Sequence, residues 1–184
     1  MNSRVQKSVS MSDPSCCCFN QLRRYFFIPL FISLFLFGSA FRPIRAVSAE
    51  MLQLREEIVD YAQQFVGIRY RYAGVSPTTG FDCSGFTSYI LKKFDAKVSS
   101  SSAMQSIQGI KVPLSDVMPG DLLFFGRRGR IQHVAMVVEQ GPDGIVCVHS
   151  TCSRGIVVEN VNTSAYWRPR ILFARDVLGQ HILD

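Results

Sequence analysis

The hydrophobic pattern of this chain changes period once, near Pro113, and that change restricts the fold more than any other feature of the sequence. Before it, apolar residues recur at helical spacing; after it, they fall into short runs separated by Gly and Pro turns. Residues 51–66 place Leu54, Ile58, Tyr61, Ala62 and Phe65 on one helical face, with Arg55, Glu56, Glu57 and Gln63 opposite and Gly67 as the stop. Residues 83–94 set Phe86, Ile90 and Phe94 at i, i+4, i+8, behind a turn at Gly80 and an N-cap at Asp82. The serines at 99–102 offer caps for a short third helix that stops at Gly109. Beyond Pro113, strands are expected at 121–125, 131–139, 145–150, 155–159 and 171–175, with a hairpin turn over 140–144. Helices first and strands afterwards predict an α+β domain, an antiparallel sheet covered on one side by helices.

Charge separates the first 49 residues from the rest. Arg4, Lys7, Arg23, Arg24, Arg42 and Arg45 against Asp13 give +5 there, so the formal +6 of the whole chain leaves +1 for residues 50–184. No basic surface for nucleic acid follows from so small an excess. The leader pairs Arg23-Arg24 with an apolar run over 25–38 and small residues at 46–49. That order predicts a secretory signal peptide over 1–49, cut after Ala49, which engages the export machinery and sends residues 50–184 to the periplasm or cell envelope. A start at Met11 would shorten its long basic region, and an uncleaved membrane anchor is the alternative.

Three cysteines remain after such a cut: Cys83, Cys147 and Cys152. Cys147 and Cys152 are five apart and are read as packed small side chains, with pairing as the alternative. Cys83 falls in the first turn of its helix, where free backbone N–H groups and the helix dipole favour a thiolate. It reads either as a nucleophile or as a small buried residue. Strand alternation puts His133 with Ala135 and Val137, and His149 with Cys147 and Ile145. About a turn near Pro142 and Asp143, the two histidines fall within about two positions of facing each other, a diagonal contact. With Cys83 packed over that face, the set is a Cys-His-His arrangement: His133 takes the thiol proton and His149 holds its imidazole in the useful tautomer. The pattern Cys147-x-His149-x-x-Cys152 lacks the usual C-x-x-C pairs, so no metal is expected, and no cofactor. The arginines at 127, 128 and 130 are expected in a solvated loop, Trp167 in the core or at a cleft edge, and His181 exposed in the tail.

Residues from about 53 to 177 resemble the NlpC/P60 cell-wall peptidases, papain-like cysteine enzymes of bacteria. The matching pieces are Tyr70-Arg71-Tyr72-Ala73-Gly74, Phe81-Asp82-Cys83-Ser84-Gly85-Phe86, Pro119-Gly120-Asp121-Leu122-Leu123-Phe124-Phe125, His133-Val134-Ala135-Met136, Val148-His149-Ser150 and Tyr166-Trp167. The resemblance implies Cys83 as nucleophile, His133 as base and His149 as orienting residue, with Tyr70 lining the substrate or oxyanion site. It also implies that Asp82 and Ser84 grip the free amino group of a peptidoglycan stem peptide. The bond implied is that between γ-D-Glu and the diamino acid, commonly meso-diaminopimelate, cut by a monomeric endopeptidase through an acyl-enzyme. An N-acetylmuramoyl-L-alanine amidase or a thiol acyltransferase is the alternative within cysteine chemistry, and a non-catalytic wall-binding module the alternative outside it. Ser99-Ser100 stand where the family often has Pro-Arg, so substrate contacts there do not carry over.

Overall fold

The structure is a computed structural model and describes residues 48–179. The expected signal peptide, apart from its last two residues, and His181 lie outside the described residues. No helix among the described residues is long and apolar enough to cross a membrane.

Helix α1 spans Ala49–Gln63 and starts where the Ser48 hydroxyl accepts the Met51 N–H at 3.2 Å. Two short strands, β1 (Val75–Ser76) and β2 (Gly80–Phe81), form a small ribbon that leads into α2, Cys83–Lys93. Helix α3 is short, Ser102–Gln105. The remaining strands are β3 (Ile110–Val112), β4 (Leu122–Arg127), β5 (Arg130–Gly141), β6 (Gly144–Thr151), β7 (Gly155–Asn160) and β8 (Ile171–Asp176). They form one antiparallel sheet in the order β3-β8-β4-β5-β6-β7. The expected α+β architecture is present.

Three details differ from the sequence reading. Strand β3 was not anticipated; it lies at the sheet edge with two of its three residues exposed, so its apolar signal is weak. The expected loop at 126–130 is a tight hairpin whose corner residues Arg128 and Gly129 have φ of 50° and 75°, the two positive values a type I′ turn needs. Arg55, expected on the polar face of α1, is buried, because Asp121 and Asp176 wait for it at the ends of β4 and β8.

Both faces of the sheet are covered. Leu122, Phe124, Val134, Met136, Val148 and Ile156 pack against Ile58 of α1 and Phe86 and Ile90 of α2. Leu123, Phe125, Ala135, Val137 and Cys147 face the other way, under Val161 and Trp167 from the β7–β8 connection. Five consecutive buried residues in β4 follow from this two-sided burial, where a one-sided sheet would alternate.

Candidate active site

The start of α2 is built by close backbone packing. Asp82 caps the helix: its Oδ1 accepts the Gly85 N–H at 2.6 Å, a contact worth about 1 kcal/mol. The Asp82 N–H donates to the Gly74 carbonyl at 3.0 Å, and that carbonyl presses on the first turn so closely that a Cβ on Gly85 would lie 2.1 Å from its oxygen. Gly85 therefore has a steric reason to follow Asp82-Cys83-Ser84. The Ser84 hydroxyl donates to Asp82 Oδ1 at 3.1 Å. Asp82 and Ser84, expected to grip substrate, thus already hold the helix start together.

Cys83 is partly buried, and the Val134 N–H donates to its sulfur. Here the sequence reading is corrected. Helix α2 packs on the Val134–Met136–Val148 face, whereas His133 and His149 stand on the opposite face beside Trp167. The two faces communicate because the β5–β6 ladder is paired only from Met136↔Val148 toward the hairpin. On the other side of that pair the Val134 N–H turns to the sulfur, and Cys83 meets the peptide that carries His133.

The histidines themselves are diagonal, as expected, with His133 Nε2 and His149 Nδ1 2.9 Å apart. His133 stacks on Trp167, rings 4.6 Å apart and 25° from parallel, with Phe125 on its other flank at 5.7 Å. Beyond His149 stands Glu159, whose Oε1 lies 2.9 Å from His149 Nε2 and accepts the Trp167 Nε1–H at 3.0 Å and an Arg154 guanidinium N–H. Glu159, Arg154 and the anchoring role of Trp167 were not read from the sequence. A signal existed: the β6–β7 register puts His149 opposite Val157, so Glu159 is the next same-face residue, and an acid on an inward face has to find a partner.

Tyr70 lies beside Phe81 in an isolated bridge, which brings its hydroxyl near Cys83 and into contact with Cys152. Burial, with the Cys152 contact second, pushes its pKa up to about 12, so it is a neutral donor. Burial pushes the Cys83 thiol up, against the opposing pull of the Val134 N–H. Burial and then the neighbouring His149 push His133 down to about 3. His149 is also lowered, by burial working against Glu159. Burial alone would raise Glu159, but hydrogen bonds from His149, Arg154 and Trp167 bring it below its usual value. The resting site thus holds a neutral thiol, two neutral imidazoles and a carboxylate. Cys147 and Cys152 are free thiols, the first buried and the second exposed.

These shifts fix how stability depends on pH. A histidine depressed in the fold leaves the unfolded chain as the better proton binder, so its contribution is present above 6.5 and is lost as pH falls toward 3. Glu159 acts in the same direction below its ordinary 4.5. The buried Cys147 thiol, raised from 9.0, has the opposite edge: its contribution is lost as pH rises past 9. Melting temperature measured from pH 4 to pH 10 is therefore expected to plateau between about 6.5 and 9 and fall on both sides. A melting temperature that does not drop between pH 6.5 and 4.5 would contradict the buried neutral histidines.

A cavity of about 460 Å³ opens beside His133 and Trp167, lined also by Tyr166, Cys152, Arg154 and Arg170. The Arg170 guanidinium lies over the Tyr166 ring, 3.7 Å from its centroid.

Comparison with known proteins places this arrangement. Residues 67–176 match the model of the NlpC/P60 family. The chain is 34% identical over 137 residues to a gamma-DL-glutamyl hydrolase of Bacillus subtilis, covering 72% of this chain and 32% of that protein. It spans about a third of the length of that relative. Among solved structures, an NlpC/P60 family protein from Bacillus cereus superposes with a TM-score of 0.61 at 32% identity, over 67% of this chain and 40% of that one. The NlpC/P60 domain of the peptidoglycan hydrolase SagA superposes with a TM-score of 0.56 at 30% identity, over 66% of this chain and 97% of that one. By sequence match and by fold, the chain belongs to the NlpC/P60 family.

Proposed function

We propose that this protein is an exported peptidoglycan hydrolase, a cysteine endopeptidase that cuts stem peptides between γ-D-Glu and the diamino acid, most readily meso-diaminopimelate. The observation that carries this reading is the convergence of Cys83, at a helix N-terminus, on the peptide bearing His133, whose ring is held by His149. The names of the relatives support the substrate: one is a gamma-DL-glutamyl hydrolase and another a domain of a peptidoglycan hydrolase.

The steps follow from the side chains. His133 spends Nε2 on His149, which leaves Nδ1 to receive the Cys83 proton. No hydrogen bond joins the His133 ring to the sulfur among the described residues, a spacing that substrate binding tightens in cysteine and serine sites alike. The sulfur attacks the amide carbonyl, and the oxyanion is met by the Cys83 N–H at the helix start and by the neutral Tyr70 hydroxyl. His133 returns the proton to the departing amine, and water then releases the acyl-enzyme. The leaving half extends past His133 toward the cavity beside Trp167. Asp82 caps α2 through Oδ1, so its second oxygen is the one proposed to meet the free amino group of the stem peptide. Residues 1–49 are proposed to export the domain.

Digestion of purified muropeptides followed by mass spectrometry tests the bond. The expected product pair is an L-Ala-γ-D-Glu end and a fragment beginning with the diamino acid. Release of intact stem peptides from the glycan would identify an amidase instead, and no release at all would favour a wall-binding module.

A further inference from the structure

We propose that Glu159 is a positioning residue that sets the order of protons along the histidine pair, and thereby makes Nδ1 of His133 the basic nitrogen. The inference rests on the cysteine chemistry above but concerns a residue outside the Cys-His-His set.

A neutral imidazole carries one N–H and one lone pair, so a hydrogen-bonded row of two imidazoles can run in either of two directions. The row here ends on a carboxylate. Glu159 Oε1 is an acceptor only, and it lies 2.9 Å from His149 Nε2, so the hydrogen belongs on that nitrogen. His149 Nδ1 is then the lone pair, and at 2.9 Å it has to receive the Nε2–H of His133. His133 is left with its lone pair on Nδ1. Reversing the row would put a hydrogen on His133 Nδ1, turning the base toward the thiol as a donor. It would also leave the lone pair of His149 Nε2 facing a carboxylate, two acceptors in contact.

The carboxylate is itself held in place and kept ionised. Trp167 Nε1 and Arg154 both donate to the same Oε1, and Trp167 also stacks on His133, so the ring and the acid that orders it share one support. Arg154 is the one cation hydrogen-bonded to this carboxylate among the described residues. Its charge favours the ionised acid, which has no proton to give back to His149.

The test uses three proteins, the wild type, Glu159→Gln and Glu159→Leu, each checked by circular dichroism for the native fold. The chain has three histidines, so ¹⁵N spectra of ring-labelled protein are assigned by single His→Gln variants. In the wild type, His133 is expected protonated at Nε2 and bare at Nδ1. Gln keeps an acceptor oxygen and retains that tautomer; Leu removes it, and a Nδ1-protonated His133 population appears. On muropeptide substrate, kcat of Glu159→Leu is expected to fall about 10- to 100-fold, the usual effect of losing an orienting partner one step behind a reacting imidazole, with KM held and Gln recovering part of the loss. If Glu159 only supports Trp167, KM rises and the His133 tautomer stays the same in all three proteins; that result overturns the proposal, as does an unchanged kcat in the Leu protein. The spectra need no substrate. Should no stem-peptide bond be cut by the wild type, the proposed function fails while the tautomer order still confirms or refutes the role of Glu159.

Discussion

The Cys83→Ala protein is expected to fold normally and to release nothing from purified sacculi. Turnover should drop by on the order of 10⁵–10⁶, the scale on which removal of an activated nucleophile acts, because no other side chain at the start of α2 can form the acyl bond. The two flanking residues cannot substitute. Asp82 Oδ1 is engaged with the Gly85 N–H and the Ser84 hydroxyl, and Ser84 is buried with its hydroxyl turned to that carboxylate. Stability should change little, since Ala is a good helix residue and the lost contact is the one sulfur–Val134 N–H bond, worth about 1 kcal/mol. The measurement is muropeptide release read beside a urea melt of the same preparation. Peptide release from the Ala protein would sink the mechanism. A lost activity accompanied by a lost fold would make Cys83 a packing residue, the other meaning its sequence context allowed.

Much of this site was legible because hairpins carry register. Pro142 and Asp143 fix where β5 turns into β6, and alternation then places His133 and His149 on one face by counting alone. The N-cap at Asp82 was equally readable, since a short acid before an apolar i, i+4 run has one common use. What alternation cannot show is which face a helix will cover. Both faces of this sheet are apolar, so the sequence offered no preference, and α2 took the face opposite the histidines. The gap in the β5–β6 ladder that reunites the thiol with the imidazole is a three-dimensional event with no residue to announce it. Glu159 was passed over for a different reason: an acid in a strand reads as solvent-facing until its partners are known, and its three donors come from positions 149, 154 and 167. Ser99-Ser100 led to a related outcome. The Ser99 carbonyl receives the buried Gln105 side chain, which also donates to the Ser84 carbonyl, so this serine segment braces the first turn of α2.

Arg55→Ala is expected to be the most destabilising single change outside the site, by about 3–5 kcal/mol, the cost of removing one partner from a buried ionic set. Arg55 Nη1 donates to the Pro119 carbonyl and to Asp121 Oδ1, both at 2.8 Å, and Nη2 donates to Asp176 Oδ1 at 2.6 Å. All three side chains are at most 2% exposed, so water cannot replace the guanidinium. Against a typical folding free energy of 5–15 kcal/mol the loss is a large share of the total. Arg55→Lys should recover only part of it, because one ammonium cannot reproduce a fork that reaches two carboxylates and a carbonyl. Asp121→Asn and Asp176→Asn introduced together with Arg55→Met should be far milder than Arg55→Ala alone, since no buried charge is then stranded. Urea midpoints of the four proteins decide the matter, and an Arg55→Ala midpoint within about 1 kcal/mol of wild type would refute the assignment. The consequence reaches the chemistry through β4. Asp121 immediately precedes that strand, and Phe125 near its far end packs on the His133 and Trp167 rings at 5.7 and 5.1 Å. An anchor lost at Arg55 should therefore loosen the stacked support of the base, so Arg55→Lys is expected to lose activity at temperatures below its own melting transition.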